Sequence, residues 1–336
     1  VLQKAETSDN DKVTACQNLG WCGTRTSIGP LAALVESEKP VLRHAARYGL
    51  EMIPDPAVEK AFCEAAGRLT GPALVGVLQS LGNLKPEQTR RGVWASLVGG
   101  GHACSVALLS GRMSDRDKSV AGAAVQALGK IATPEAMDAL KAGIGKCPYV
   151  AVAYLNGAGK VACSDPAKAS AYYADIRAAK ENVFPDTRLA ALRGEIVTAG
   201  GQGVKLWNDA IASADADTVN VALRAVLDFP ACNKATAAFA AALAKVPAVQ
   251  TRLAAVLGQR GDKAAVPALA ALAKGENAAT PQSSLAAASA LAALNAPDAV
   301  PPLLALAKHQ DPAIAGAAKD TIMGFVGKAA DDAVLA

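Results

Sequence analysis

The sequence predicts an all-α protein: an α-solenoid, wound as a right-handed superhelix, of about ten helix pairs. Three observations carry this. Apolar residues make up 51% of the chain but aromatics only 4%, so the apolar excess is small and aliphatic. Such side chains suit many thin helix–helix contacts better than one thick core. Alternating β-branched runs bounded by turn residues, which would mark strands, do not stand out. Finally, one helix-pair pattern recurs along the chain, as it must when each unit buries its apolar face against the next.

The reference unit is residues 117–144. Val120, Ala124, Ala127, Leu128 and Ile131 fall at helical spacing and form one apolar stripe. Asp117 is placed to N-cap this helix. Gly129 lies near its end, where a missing Cβ lets another backbone approach or lets the chain leave the helix. Thr133, Pro134 and Glu135 then read as N-cap, first helical residue and dipole partner of a second helix. Met137, Leu140 and Ile144 form its stripe. Neither helix is long enough to be stable alone in water.

The same register recurs. Residues 311–318 repeat the pattern of 117–124, and LAALNAPDAV at 291–300 repeats LGKIATPEAM at 128–137, with Pro297 on Pro134. Marking each unit at the position of Gly129 gives Gly20, Gly49, Gly82, Gly129, Gly159, Gly194, Asp228, Gly258, Ala292 and Met323. Eight of the nine steps fall between 29 and 35 residues; the step from Gly82 to Gly129 is 47. The whole chain, 1–336, therefore reads as one solenoid with an irregular insertion at about 84–114. That insertion contains Arg90, Arg91, Trp94, a triple glycine and His102, and is expected to hold helices at 86–98 and 103–109. Trp207 falls in register with Val204 and Ile211 and is expected in the core.

A period near 31, the D-x-x-V-x-x-A-A-x-A-L-G first helix at 117–129 and the T-P-E-A-x-x-x-L second helix at 133–140 resemble bacterial HEAT repeats, of the short kind also found in phycobilisome lyases. The stretches RHAARYGLE at 43–51 and VGVLQSLG at 75–82 are similar to a bacterial subgroup of HEAT-repeat proteins that are often exported. Members of that subgroup are sometimes fused to c-type cytochrome or sugar-active modules. No C-x-x-C-H occurs here, so no haem attachment is carried over. The resemblance implies a HEAT-like solenoid and, because HEAT arrays are mostly protein-binding scaffolds, a protein or peptide partner. It also implies a periplasmic or otherwise exported location, to which the Val1 start adds the expectation that a preceding piece has been removed. A cytoplasmic location is the alternative.

Composition excludes little but guides much. The net charge is +4, from 34 basic and 30 acidic residues, and no basic block stands out. Nucleic acid is not the expected partner. Every apolar run is interrupted by Gly, Lys or Asp before transmembrane length, so no membrane span is expected. Seven cysteines cannot all pair internally. Most are expected to be small buried hydrophobes. Cys147 and Cys163 flank one predicted helix of roughly 24 Å at 1.5 Å per residue, too long to bridge. Cys16 and Cys22 form the only local pair worth checking for a disulfide.

A search for chemistry finds little. Three histidines, His44, His102 and His309, sit in separate units without a metal-ligand spacing. No nucleophile elbow, phosphate-binding loop or dinucleotide fingerprint appears. No catalytic residue, cofactor or metal is expected. The function expected is a non-enzymatic scaffold whose second helices line a concave face and bind a protein or peptide. An accessory lyase or other enzyme with a site in that groove, or a structural subunit of a larger assembly, are the alternatives. Arg and aromatic residues are favoured at interfaces. They single out Arg43, His44, Arg47 and Tyr48, then Arg90, Arg91 and Trp94.

Overall fold

The computed structural model describes residues 2, 6–84 and 103–324. Among these, regular structure is helical throughout. Helices α1 (Asp9–Cys22) and α2 (Arg25–Val35) form the first pair, α3 (Pro40–Met52) and α4 (Ala57–Arg68) the second. The third is α5 (Gly71–Asn83) with α6 (Ala103–Arg112), the fourth α7 (Lys118–Ile131) with α8 (Pro134–Lys141). The fifth is α9 (Pro148–Ala162) with α10 (Pro166–Ala178), the sixth α11 (Pro185–Thr198) with α12 (Gly201–Ile211). Then come α13 (Ala216–Asp228) with α14 (Asn233–Lys245), α15 (Gln250–Arg260) with α16 (Val266–Ala273), and α17 (Pro281–Ala293) with α18 (Val300–Leu306). Helix α19 (Pro312–Gly324) opens a tenth unit. The protein is an all-α solenoid, and each of the ten expected units has its first helix.

Sequence explains the boundaries. Proline at the first or second position opens α3, α5, α8, α9 and α17, where its missing N–H has no helical partner to lose. Asp117 accepts the N–H of Ser119 at 2.8 Å, and the hydroxyl of Thr133 accepts that of Ala136 at 3.4 Å. The stripe Val120, Ala124, Ala127, Leu128 and Ile131 is buried. Two details differ from the sequence reading. Helix α8 stops at Lys141, so Ile144 lies half-buried in the turn beyond it. The left-handed residue that ends α7 is Ala132, at φ 53°, so of the two roles read for Gly129 the structure shows close backbone approach and not the helix exit.

The described chain forms two compact units, Val1–Asp165 with Asp175–Arg188, and Pro166–Ala174 with Leu189–Ala336. In the first unit, α1, α3, α5, α7 and α9 pack one against the next as a layer of first helices. Helices α2, α4, α6 and α8 form the layer of second helices. Helix α6 packs against α4, α7 and α8, so it is the second helix of the third pair. The additional residues of the insertion lie in the chain between α5 and α6. The helix expected at 86–98 lies outside the described residues.

The first helices cross backbone to backbone. A Cβ on Gly82 would stand 2.7 Å from the Cα of Ala127, and one on Gly129 would stand 2.5 Å from the carbonyl oxygen of Ala153. Real Cβ atoms do not approach so closely, so these positions stay without one. In the fifth unit the glycine buried at the crossing is Gly157, not the marked Gly159, which is exposed. The register there is two residues earlier, and a Cβ on Gly157 would stand 2.5 Å from Met137 Sδ of α8.

In the second unit, α13, α15, α17 and α19 pack successively around an Ala- and Leu-rich core. Trp207 is fully buried there. Its indole N–H donates to the carbonyl of Ala222 at 2.8 Å, and its ring lies 4.6 Å from that of Phe239. Arg260 sits over Phe239 at 5.8 Å and donates to the carbonyls of Phe229 and Pro230, each at 2.9 Å. The buried Gln250 makes three bonds, donating to Leu243 and Asn277 carbonyls and accepting from Ala279. One side chain thus ties α14, α15 and the connection between α16 and α17.

Two substitutions on one helix test the crossing. Gly129→Ala is expected to destabilise by up to about 2 kcal/mol, the overpacking penalty of about 1–3 less a helix-propensity gain of about 1. Gly122, with nothing within 4 Å of its would-be Cβ, should stabilise by about 0.5–1 kcal/mol on mutation to Ala. Opposite shifts of the urea midpoint would confirm the assignment.

Candidate functional site

The residues singled out on α3 divide into two kinds. Arg43 donates to the carbonyls of Ser37 and Glu38, each at 2.8 Å, and clamps the turn that leads into its own helix. Arg47 donates to the carbonyl of Gly76 and to Ser80 Oγ. Ser80 is itself fully buried and donates to the same carbonyl at 3.1 Å. A Cβ on Gly76 would stand 2.6 Å from the Arg47 guanidinium carbon. Gly76 therefore stays small to seat the guanidinium, and Arg47 is a strut between α3 and α5. Burial lowers its pKa, against the opposing charge of Glu51.

His44 and Tyr48 point the other way, into a groove of about 720 Å³ between α1 and α3. Helix α1 contributes Gln17, Asn18 and Trp21; α3 contributes Val41, His44 and Tyr48. No Asp, Glu, Lys or Arg lines it. Its apolar members are unusually open: Trp21 is 77% exposed, Val41 64% and Tyr48 43%. The groove lies on the layer of first helices, not on the second helices to which the sequence reading assigned binding. Arg90, Arg91 and Trp94 lie outside the described residues.

Sequence reasoning passed over Trp21. The signal was present: Trp21 follows Gly20 as Asn83 follows Gly82 and Lys130 follows Gly129, and those two siblings are exposed. On α3, Val41, Tyr48 and Met52 form a second apolar stripe, all exposed, beside the core stripe of Leu42, Ala46, Gly49 and Leu50.

A second groove, of about 450 Å³, runs between α7 and α9 and is basic, with Lys118, Lys130 and Lys160 on its walls. Two of these are engaged. Lys130 donates to Asn83 Oδ1 at 2.8 Å, and Lys160 donates to the carbonyl of Lys130.

Among the described residues, no three His, Cys, Asp or Glu side chains come together as a metal site. Buried carboxylates are satisfied locally: Asp55 accepts the Ala57 N–H at 2.9 Å, and Glu59 accepts from Ser105 N and Oγ at 3.1 and 2.6 Å. His309 Nδ1 accepts the N–H of Asp311 at 3.0 Å. No single described helix is long and apolar enough to cross a membrane. The bent pair Asn233–Lys245 and Pro247–Arg260 passes by length and composition but turns by 110°. Its apolar residues belong to the second unit's core.

The cysteines are less buried than expected. Cys16 and Cys63 are buried, Cys147 is half-buried, and Cys22, Cys104, Cys163 and Cys232 are exposed. Cys16 and Cys22 are both free. They lie six residues apart on α1, roughly 9 Å along its axis at 1.5 Å per residue, and face in different directions. Cys147 and Cys163 bracket α9 as its two caps, as the helix length predicts.

A family model for the PBS lyase HEAT-like repeat matches residues 120–145 and 285–309. The first segment lies in the first compact unit and the second in the second. No curated protein matches the chain. Among solved structures, human deoxyhypusine hydroxylase in complex with glycerol is 17% identical, with 92% of this chain and 99% of that one covered and a TM-score of 0.32. Kap121p is 13% identical over 99% of this chain and 45% of its own, with a TM-score of 0.47. Kap121p bound to the extreme C-terminus of the protein phosphatase Cdc14p is 13% identical over 96% and 40%, with a TM-score of 0.48. The chain spans under half the length of Kap121p.

The two described tryptophans should respond oppositely to truncation. Trp207→Ala is expected to cost about 3–5 kcal/mol of stability, because its ring fills the core. Trp21→Ala should change stability by less than about 0.5 kcal/mol, and far-ultraviolet circular dichroism should be unaltered. Urea unfolding of the two variants checks both.

Proposed function

We propose that the protein is a non-enzymatic, protein-binding scaffold, and that the groove between α1 and α3 takes an apolar, uncharged segment of a protein partner. One observation carries this reading: three large apolar side chains, Trp21, Val41 and Tyr48, stand exposed together in a groove whose lining includes no Asp, Glu, Lys or Arg. Contiguous exposed apolar surface of this kind marks interaction sites, and Trp and Tyr are the residues most often found at their energetic centres.

The magnitudes are adequate. A tryptophan buries on the order of 150–250 Å². At about 25 cal/mol per Å², covering the exposed part of Trp21 contributes roughly 3–5 kcal/mol before the costs of association. Gln17 and Asn18, on the groove wall, supply amide donors and acceptors that can meet the backbone of a bound segment. A charged side chain entering between them would lose its hydration with no counter-charge to replace it. This selects against charged partner segments. An exported location belongs to the same proposal. It rests on the resemblance of residues 43–51 and 75–82 to the exported subgroup, and fractionation of the source cells checks it.

Selection of displayed random peptides against the full chain tests the site. Enriched peptides are expected to carry aromatic or aliphatic anchors and few charges. Trp21→Ala should weaken the best of them by about 30-fold or more, the equivalent of a 2 kcal/mol hot spot. Enrichment of acidic or basic peptides, or affinity indifferent to both Trp21→Ala and Tyr48→Ala, would refute the assignment.

A further inference from the structure

The third pair is held together differently from the others. Its two helices, α5 and α6, are separated in the chain by residues 84–102, where neighbouring pairs are joined by turns of a few residues. Short connections hold a second helix close to its first; a long one leaves more closure entropy to be offset by contacts. The contacts that hold the start of α6 come from α4, in the preceding pair.

Two of them are polar and buried. Glu59 Oε1 accepts both the backbone N–H and the hydroxyl of Ser105, which is fully buried. One helical turn further along α4, on the same face as Glu59, is Cys63, 9% exposed. Immediately before Ser105 is Cys104, which is exposed. The pinning of Ser105 on Glu59 thus sets Cys104 beside the stretch of α4 that carries Cys63, close enough for Cys104 to act on the Cys63 thiol. Forty-one positions separate them in sequence, so no spacing motif reveals the pair.

We propose that Cys63 and Cys104 form a disulfide that fastens α6 to α4 and so closes the third unit. The two residues lie on helices that pack against each other, one residue from Ser105 and one turn from Glu59, which are bonded at 2.6 and 3.1 Å, and a disulfide needs its flanking backbones held near each other in this way. The chemistry is thiol–disulfide exchange with a low-molecular-weight disulfide such as oxidised glutathione. The Cys104 thiolate, being exposed, attacks the reagent, forms a mixed disulfide and expels one glutathione thiolate. Cys63 then attacks the Cys104 sulfur, the S–S bond between the chain and glutathione breaks, and the second glutathione leaves. The proton of Cys63 ends on a departing thiolate. Two protein thiols have lost two electrons and two protons, and one small disulfide has become two thiols.

The order of attack follows from the environments. Burial, then the bond to Cys104, pushes the Cys63 thiol up from its ordinary value, so it is the resolving partner and not the first nucleophile. The resulting bond closes a ring of chain from Cys63 to Cys104 that contains α5 and the residues of the insertion. It joins the second helices of the second and third pairs beside the bonds from Ser105 to Glu59.

The full chain tests this directly. Reduced protein is incubated in native buffer with oxidised glutathione; remaining thiols are then alkylated in denaturant and the digest is read by mass spectrometry. The expected result is that Cys63 and Cys104 are recovered as one disulfide-linked peptide pair, both protected from alkylation, while in a Cys63→Ser chain Cys104 is recovered as its mixed disulfide with glutathione. Recovery of Cys104 from the unmutated chain as the glutathione adduct, with Cys63 alkylated as a free thiol, would overturn it.

Discussion

The structure depends on the close crossing of consecutive first helices. Small residues at the crossings let the backbones touch, as Gly82 does with Ala127 and Gly129 with Ala153. Contact at that range fixes the rise from one pair to the next, and therefore fixes which side chains face the neighbour. It also explains the composition. A chain whose helices approach this closely has room for Ala, Leu and Val between them but for few rings. Where rings do enter, as with Trp207, Phe229 and Phe239, polar contacts from Arg260 and a backbone carbonyl accompany them.

The same geometry makes the groove between α1 and α3 informative. At the position after the crossing glycine, α5 and α7 carry Asn83 and Lys130, bonded to each other at 2.8 Å, and the exposed Tyr149 of α9 is partnered by Phe184. At the first two pairs Trp21, Val41 and Tyr48 stand exposed instead. Stability of the array does not require them there, since a polar residue would serve as well in water. Their placement, and the absence of Asp, Glu, Lys and Arg from the lining, are what the proposed partner contact rests on.

Much of the fold was legible because it is local and repeated. The stripe at 120–131, the cap at Asp117 and the Thr133-Pro134 start are each written in a few adjacent residues, and the structure places them as read. The site was only half legible. Arg43 and Arg47 look like interface residues in sequence, because their acceptors are backbone carbonyls of Ser37, Glu38 and Gly76, and a carbonyl has no letter. Trp21 was legible in principle from its register with Asn83 and Lys130, but a tryptophan in a helix invites a core reading, and one such reading, for Trp207, is right. The nearness of Cys104 to Cys63 lies beyond sequence altogether. It follows from Glu59 holding Ser105, a pairing across two helices and a long insertion.

The most direct measurement follows the tryptophan indole N–H signals of the full chain by nuclear magnetic resonance while a groove-selected peptide is added. Trp21→Phe and Trp207→Phe chains assign the two signals. The account predicts that the Trp21 signal shifts or broadens in step with binding, while the Trp207 signal, locked to the Ala222 carbonyl in the core, stays in place. A peptide bound to saturation with the Trp21 signal unmoved would contradict it.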